Sequence, residues 1–283
     1  MKIVLIGIGL LGSEFNQLLT NSQHTFFALD YPAIDITDYN KIEEVLLPLG
    51  KIDVLINCAA YTKVDQAEVE RDLAYKLNVD GVRNLALFCK KNNITLVHFS
   101  TDYIFNGEND NPYLETDMPD PINYYGLTKL ESEHAVTELL DQYYIFRVQW
   151  LYGKNGPNFV DKIIELAKTR TELDIVADQW GTPTWSKEIA EHVLLVVENN
   201  APFGIYNFSN LGVTTWYEFA RVFMNYLKIE IKINPVTSDN FKTLAKRPHN
   251  SRLNIQKFLD LNLKMPLSWD HAVKNFLAEK KFK

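Results

Sequence analysis

The sequence predicts an α/β fold in which a parallel sheet is doubly wound by helices. Three observations predict it. Short strands, apolar throughout, alternate with segments of helical periodicity, as a parallel sheet buried on both faces requires. A glycine-spaced turn, Gly7-Ile8-Gly9-Leu10-Leu11-Gly12, lies between the first strand and the first helix. The composition, 46% apolar and 23% charged over 283 residues, supports a sizeable core and argues against intrinsic disorder.

The elements follow in order. Ile3 to Ile6 reads as a strand and Leu10 to Leu19 as a helix. Thr25 to Leu29 is a second strand. Tyr39 to Leu47 is a helix, with Asp38 placed to cap it. Asp53 to Ile56 is a third strand, and Ala67 to Lys90 one long helix softened near Gly81. Thr95 to Phe99 is a fourth strand, Tyr124 to Leu140 a helix, and Tyr144 to Val148 a fifth strand. Between Asn106 and Asn123 the rhythm breaks at Gly107, Pro112, Pro119 and Pro121, with five acidic residues, and reads as a loop over the sheet edge. After Tyr152 the pattern changes, with a helix from Phe159 to Lys168 and then short mixed elements. Residues 1–150 are expected to form a Rossmann-like dinucleotide-binding domain. Residues 151–283 are expected to form a smaller mixed α/β substrate lobe that returns segments to the first domain.

Several function classes drop out. A net charge of -7 disfavours a nucleic-acid binder, which needs a basic footprint. Two cysteines, Cys58 and Cys89, cannot build a disulfide framework or a tetrathiolate zinc site, and both read as buried thiols. The six histidines lack the close pairing of zinc ligands, and His98 reads as a packed strand residue. The first apolar run stops at Gly7, unlike a signal peptide, and no run reaches the roughly 18 apolar residues of a membrane span. A cytoplasmic protein, monomer or homodimer, is the expectation. Acidic residues between Glu108 and Asp120 could hold Mg2+, but a solvated loop is the stronger reading, because a hard cation needs about six well-arranged oxygens.

The glycine turn points to a dinucleotide. Gly7 permits the tight turn, Gly9 lets backbone approach a pyrophosphate, and Gly12 lets helix pack on strand. Leu10 and Leu11 open the helix, whose first N–H groups and dipole favour an anion. Asp30 ends the second strand, 18 residues beyond Gly12, where a carboxylate accepts from both ribose hydroxyls and repels a 2′-phosphate. That favours NADH, with NADPH possible.

The chemistry gathers in two places. Tyr125 and Lys129 are one helical turn apart and share a face. An ammonium lowers a neighbouring phenol from its usual pKa of about 10. Ser100-Thr101-Asp102 ends the fourth strand, where ligands bind in open α/β sheets. A hydroxyl there can bond a substrate carbonyl.

These segments, with Asn57-Cys58-Ala59-Ala60, resemble the extended short-chain dehydrogenases/reductases. More narrowly the chain is similar to the dTDP-4-dehydrorhamnose reductase family. The strings that carry this are Asn57 to Asp65, Ser100 to Gly107, Arg147 to Gly153, Asp178 to Thr184 and Arg247 to Ser251. The resemblance implies reduction of the 4-keto group of a nucleotide-activated 6-deoxy sugar by NAD(P)H. It implies Thr101, Tyr125 and Lys129 as catalytic residues. Ala59, Ala60 and Tyr61 would line the cofactor, and Asp35 and Ile36 would border adenine. Thr101, Asp102, Tyr125, Trp150 and Arg247 would meet the nucleotide-sugar substrate, Arg247 being equally readable as a structural ion pair. Asn78 matches the family's structural or proton-relay asparagine. Three positions depart from the pattern: the glycine spacing is one residue shorter, Ser132 replaces a frequent glycine, and Gln149 a frequent Ser or Thr. Sugar-nucleotide 4,6-dehydratases carry Glu after the strand-end Asp, whereas Tyr103 stands here, so the elimination pair is missing. A reductase of another nucleotide 4-keto-6-deoxysugar, and a non-catalytic subunit like the methionine adenosyltransferase β subunit, are the competing expectations.

Overall fold

The computed structural model describes residues 1–280. Residues 281–283, the end of the expected second lobe, lie outside the described residues. Six strands form one parallel sheet: β1 (Lys2–Ile6), β2 (Thr25–Leu29), β3 (Val54–Asn57), β4 (Thr95–Thr101), β5 (Tyr143–Val148) and, from far along the chain, a strand at Gly204–Asn207. Their spatial order is the last strand, β5, β4, β3, β1, β2. The order reverses between β1 and β3, so their carboxyl ends open a crevice, the place where such folds bind ligands.

Side chains of these strands alternate between two cores. Ile3, Leu5, Ile56, Phe99 and Phe146 face helices α1 (Leu10–Thr20) and Ser186–Glu198. Val4, Ile6, Leu55, Leu96 and Ile145 face α2 (Tyr39–Leu46), α3 (Gly81–Asn92) and α4 (Tyr124–Leu139). The fold is doubly wound and Rossmann-like. A separate core runs from Tyr152 to Leu277, around Phe219, Phe223 and Phe276.

Local chemistry explains the helix starts. Asp38 caps α2 by accepting from the Asn40 and Lys41 N–H groups. Asn123 caps α4 by accepting from Gly126 N–H at 2.7 Å. Two readings need correction. The expected helix from Ala67 to Lys90 is broken at Glu68–Glu70, and a π turn at Lys76–Asp80 precedes α3. The cause is tertiary: the Asn78 side chain bonds both the N–H and the carbonyl of Tyr61, which pulls that turn inward. The expected softening near Gly81 is where that π turn ends, and at Gly81 itself a Cβ would lie 2.7 Å from Ile36. The 106–123 stretch is also more than a solvated loop. Tyr113 is buried and stacks on Phe105 at 4.2 Å, and Glu115 accepts from the Asn207 N–H.

One buried ion pair joins the layers. Arg147 of β5 donates through Nε and Nη2 to Glu133 of α4, and both side chains are 3% exposed. Arg147 Nη1 also reaches the Glu115 carbonyl at 3.1 Å. Glu133→Ala would strand a buried guanidinium, so unfolding free energy should fall by about 3–5 kcal/mol in denaturant titration. A loss below about 1 kcal/mol would show that Arg147 finds other partners.

Candidate active site

The glycine turn sits on the crevice. Gly7 has a φ of +87°, and a Cβ there would meet the Ala59 backbone nitrogen at 2.5 Å, so β1 and β3 close on each other at this turn. A Cβ on Gly12 would meet the Gly7 carbonyl at 1.8 Å. At Gly9 the opposite holds: a Cβ would meet nothing within 4 Å, and this residue faces open space at the start of α1. The turn is thus an open cradle, with the first N–H groups of α1 left without a side-chain cap. Asp30 accepts from Ile8 N–H at 3.2 Å and from Tyr31 N–H, which ties the end of β2 to the turn. Asp35 holds the Thr37 N–H and hydroxyl, while Ile36 is buried against Gly81. Of that pair, Asp35 stays nearer the surface.

Thr101 and Tyr125 come together. Gly126 lets this happen, since a Cβ there would lie 2.1 Å from the Tyr103 carbonyl, so the first turn of α4 rests on the end of β4. The Thr101 hydroxyl donates to Asp102 Oδ1 at 3.0 Å and accepts from Tyr103 N–H, with the Tyr125 phenol close by. Burial pushes Tyr125 well above the usual phenol range, the nearby Asp102 adds to this, and the Thr101 hydroxyl opposes it. Asp102 is buried and its pKa is raised to about 7, chiefly by desolvation.

Lys129 lies beneath them, 2% exposed. Burial lowers it to about 8, against the pull of Glu133 and Cys58. Its Nζ is 3.4 Å from His98 Nε2. His98 is more than packing. Asn57 Oδ1 accepts from Ala59 N–H, which turns its amide nitrogen toward His98 Nδ1 at 3.3 Å. Nδ1 is then the acceptor, and the neutral ring carries its hydrogen on Nε2, pointing at Ser132 Oγ 3.0 Å away. Burial and the Lys129 charge both hold His98 well below the usual histidine range. Sequence reading missed the linked set Asn57, His98 and Ser132, whose members lie on three elements.

Asn78 bonds the Tyr61 backbone and Thr128 Oγ1, which fastens the segment after β3 to α4. Its amide nitrogen is spent on these structural bonds. Tyr61 donates to Glu70 at 2.6 Å.

A cavity of about 660 Å³ lies beside this centre. Tyr103, Phe159, Trp216, Lys162, Lys242 and Arg247 contribute to its wall. Tyr103 packs edge-on against Tyr125 at 6.2 Å and so divides cavity from catalytic centre. Arg247 forms a two-pronged pair with Asp65, at 2.7 and 3.2 Å, while also lining the cavity. Trp150, with a φ of +47°, stacks on Trp216 at 3.7 Å, and the missing Cβ of Gly181 makes room for its ring. Trp216 is the tryptophan that reaches the cavity wall; nothing in its local sequence marked it. Among the described residues no cluster of three His, Cys, Asp or Glu side chains could hold a metal, and no helix is long and apolar enough to cross a membrane. Cys89 is buried and Cys58 half-buried, both as free thiols.

The two inner glycines should separate by experiment. Gly9→Ala should leave unfolding free energy within about 0.5 kcal/mol, yet weaken NAD(P)H binding at least ~10-fold in fluorescence titration, because its methyl enters ligand space. Gly12→Ala should destabilise the fold itself. Equal affinity in Gly9→Ala and wild type would remove the phosphate role from this turn.

The chain was compared with known proteins. Residues 1–282 match the family model described as the RmlD substrate binding domain. A dTDP-4-dehydrorhamnose reductase of Aggregatibacter actinomycetemcomitans is 37% identical, over 95% of this chain and 96% of that protein. A dTDP-4-keto-6-deoxy-D-glucose reductase of Streptomyces niveus is 35% identical, over 94% of this chain and 92% of its own. The crystal structure of a dTDP-4-dehydrorhamnose reductase from Bacillus anthracis, in complex with NADP, superposes with a TM-score of 0.95 at 35% identity, covering 98% of this chain and 99% of that one. Matches of this length span the cradle, the Thr101–Tyr125–Lys129 group and the cavity alike, and they place the chain in the dTDP-4-dehydrorhamnose reductase family of extended short-chain dehydrogenases/reductases.

Proposed function

We propose that this protein reduces the 4-keto group of a nucleotide-activated 6-deoxy sugar with NAD(P)H, converting dTDP-4-dehydrorhamnose to dTDP-L-rhamnose. The observation that carries the reading is the Thr101–Tyr125 contact at the carboxyl end of β4, with Lys129 buried one turn below. The residues that fit the cofactor are the Gly7–Gly12 cradle, Asp30, Asp35 and Ile36, the Ala59–Tyr61 segment, Tyr125 and Lys129. The nicotinamide, when bound, supplies the hydride, which no side chain can. As charge develops on the sugar C4 oxygen, Tyr125 gives its proton and Thr101 stabilises the oxygen by hydrogen bonding. The Lys129 ammonium favours the phenolate that remains. The cavity walled by Tyr103, Trp216 and Arg247 receives the rest of the sugar nucleotide, with Trp150 behind Trp216 and Asp102 at the reacting end.

A second reading, reduction of a different 4-keto-6-deoxysugar on the same nucleotide, is supported by the Streptomyces niveus relative. A purely regulatory subunit has less support, since the full-length relatives carry reductase names and Thr101, Tyr125 and Lys129 are all present in this chain.

Tyr125→Phe should lower kcat at least ~100-fold in an assay of NAD(P)H oxidation by dTDP-4-dehydrorhamnose, while leaving cofactor affinity within about threefold. Near-normal turnover would contradict the acid role. Asp30 governs the choice of cofactor. Asp30→Ala should raise the NADPH to NADH ratio of kcat/KM by about 10-fold or more, because a 2′-phosphate no longer meets a carboxylate. An unchanged ratio would move that choice to other residues.

A further inference from the structure

A hydroxyl has one hydrogen to give and two lone pairs. At Thr101 the hydrogen goes to Asp102 Oδ1 at 3.0 Å and one lone pair takes the Tyr103 N–H at 3.2 Å. An ionised carboxylate accepts and never donates. With Asp102 charged, the Thr101 hydrogen is therefore held by Asp102 and points away from a sugar oxygen set beside Thr101 and Tyr125. One proton on Asp102 reverses the bond. Asp102 then donates to Thr101, and the Thr101 hydrogen turns to the sugar oxygen or to the Tyr125 phenolate.

The surroundings of Asp102 suit the neutral acid. It is 2% exposed, and its Oδ2 is buried with no hydrogen-bond partner. The side chains that face it carry hydroxyls: Thr101 beside it in the chain, Tyr125 from α4, the adjacent Tyr103, and Ser251 from the C-terminal segment. The backbone N–H groups of Asp102 and Tyr103 favour the carboxylate, and desolvation outweighs them. The Arg247 guanidinium, which reaches Tyr103, is paired with Asp65. Desolvation is the main cause that brings the acid to about 7. A bound anionic sugar nucleotide pushes the same way.

We infer that Asp102 is a positioning residue that works in its protonated form, turning the Thr101 hydroxyl toward the reacting oxygen. It keeps its own proton through the reaction; the proton that reaches the sugar oxygen is the one that leaves Tyr125. The inference rests on the roles given to Thr101 and Tyr125 above.

The test is the pH dependence of kcat/KM, which reports the groups of the free enzyme, for wild type, Asp102→Asn and Asp102→Leu, with NAD(P)H and dTDP-4-dehydrorhamnose. Wild-type activity should fall as pH rises through about 7, where Asp102 loses its proton. Asparagine is isosteric and its amide donates at every pH, so Asp102→Asn should lose that limb and fall near 8 instead, where Lys129 loses its charge. Asp102→Leu cannot donate, and its kcat/KM should lie at least ~10-fold below that of Asp102→Asn across the range. An Asp102→Asn profile that keeps the limb near 7, or an Asp102→Asn enzyme no better than Asp102→Leu, overturns the inference while leaving the reductase reading intact. A wild type that turns over no nucleotide 4-keto sugar overturns the reductase reading, and this inference with it.

Discussion

The architecture of the site depends on the ion pair between Arg147 and Glu133. Both side chains are 3% exposed, and taking two charges out of water costs several kcal/mol per ion unless their geometry repays it. Here two guanidinium nitrogens meet the carboxylate, and a third meets the Glu115 carbonyl. The same arginine lies over the Phe105 ring at 5.4 Å, and its carbonyl accepts the Phe208 N–H. One residue thus holds α4 to β5, the 106–123 stretch to the sheet, and the chain beyond the last strand. Tyr125, Thr128, Lys129 and Ser132 all sit on α4. Their distances to Thr101, Asn78 and His98 on other elements are set by where that pair seats the helix.

Above this frame, the site is a set of directed hydrogen bonds. Asn57 fixes the tautomer of His98, which presents an N–H rather than a lone pair beside Lys129. Asn78 fixes Tyr61 and Thr128. Buried groups cannot exchange partners with water, so each donor's direction is passed to the next. Chemistry at the C4 oxygen requires that the last donors in the chain point at the substrate. That requirement makes the protonation of Asp102 part of the geometry.

Much of this was legible in the sequence, for physical reasons. A strand buried on both faces must be apolar throughout, so β1, β3 and the apolar stretches of β4 and β5 stood out, while β2, the half-buried edge strand, showed through its aromatic and aliphatic residues. A backbone that approaches a phosphate needs glycine, so the cradle did too. The polar end of β4 was harder: Ser100 and Thr101 belong to the strand because they pair with Arg147 and Val148, not because of their type. The π turn at Lys76–Asp80 accompanies Asn78 reaching back to Tyr61. The burial of Tyr113 depends on partners such as Leu253, and Arg247 finds Asp65 across 182 residues. Trp216 becomes a cavity residue through its stack on Trp150. Hydroxyl direction has no sequence signal; it follows from counting donors and lone pairs in three dimensions.

The most direct measurement is a crystal structure of the ternary complex with oxidised cofactor and dTDP-L-rhamnose. The account predicts the sugar C4 hydroxyl within about 3 Å of both the Tyr125 phenol and the Thr101 hydroxyl, with the nucleotide in the cavity walled by Trp216 and Arg247. A product bound with its C4 hydroxyl away from that pair, or a nucleotide outside that cavity, would contradict it.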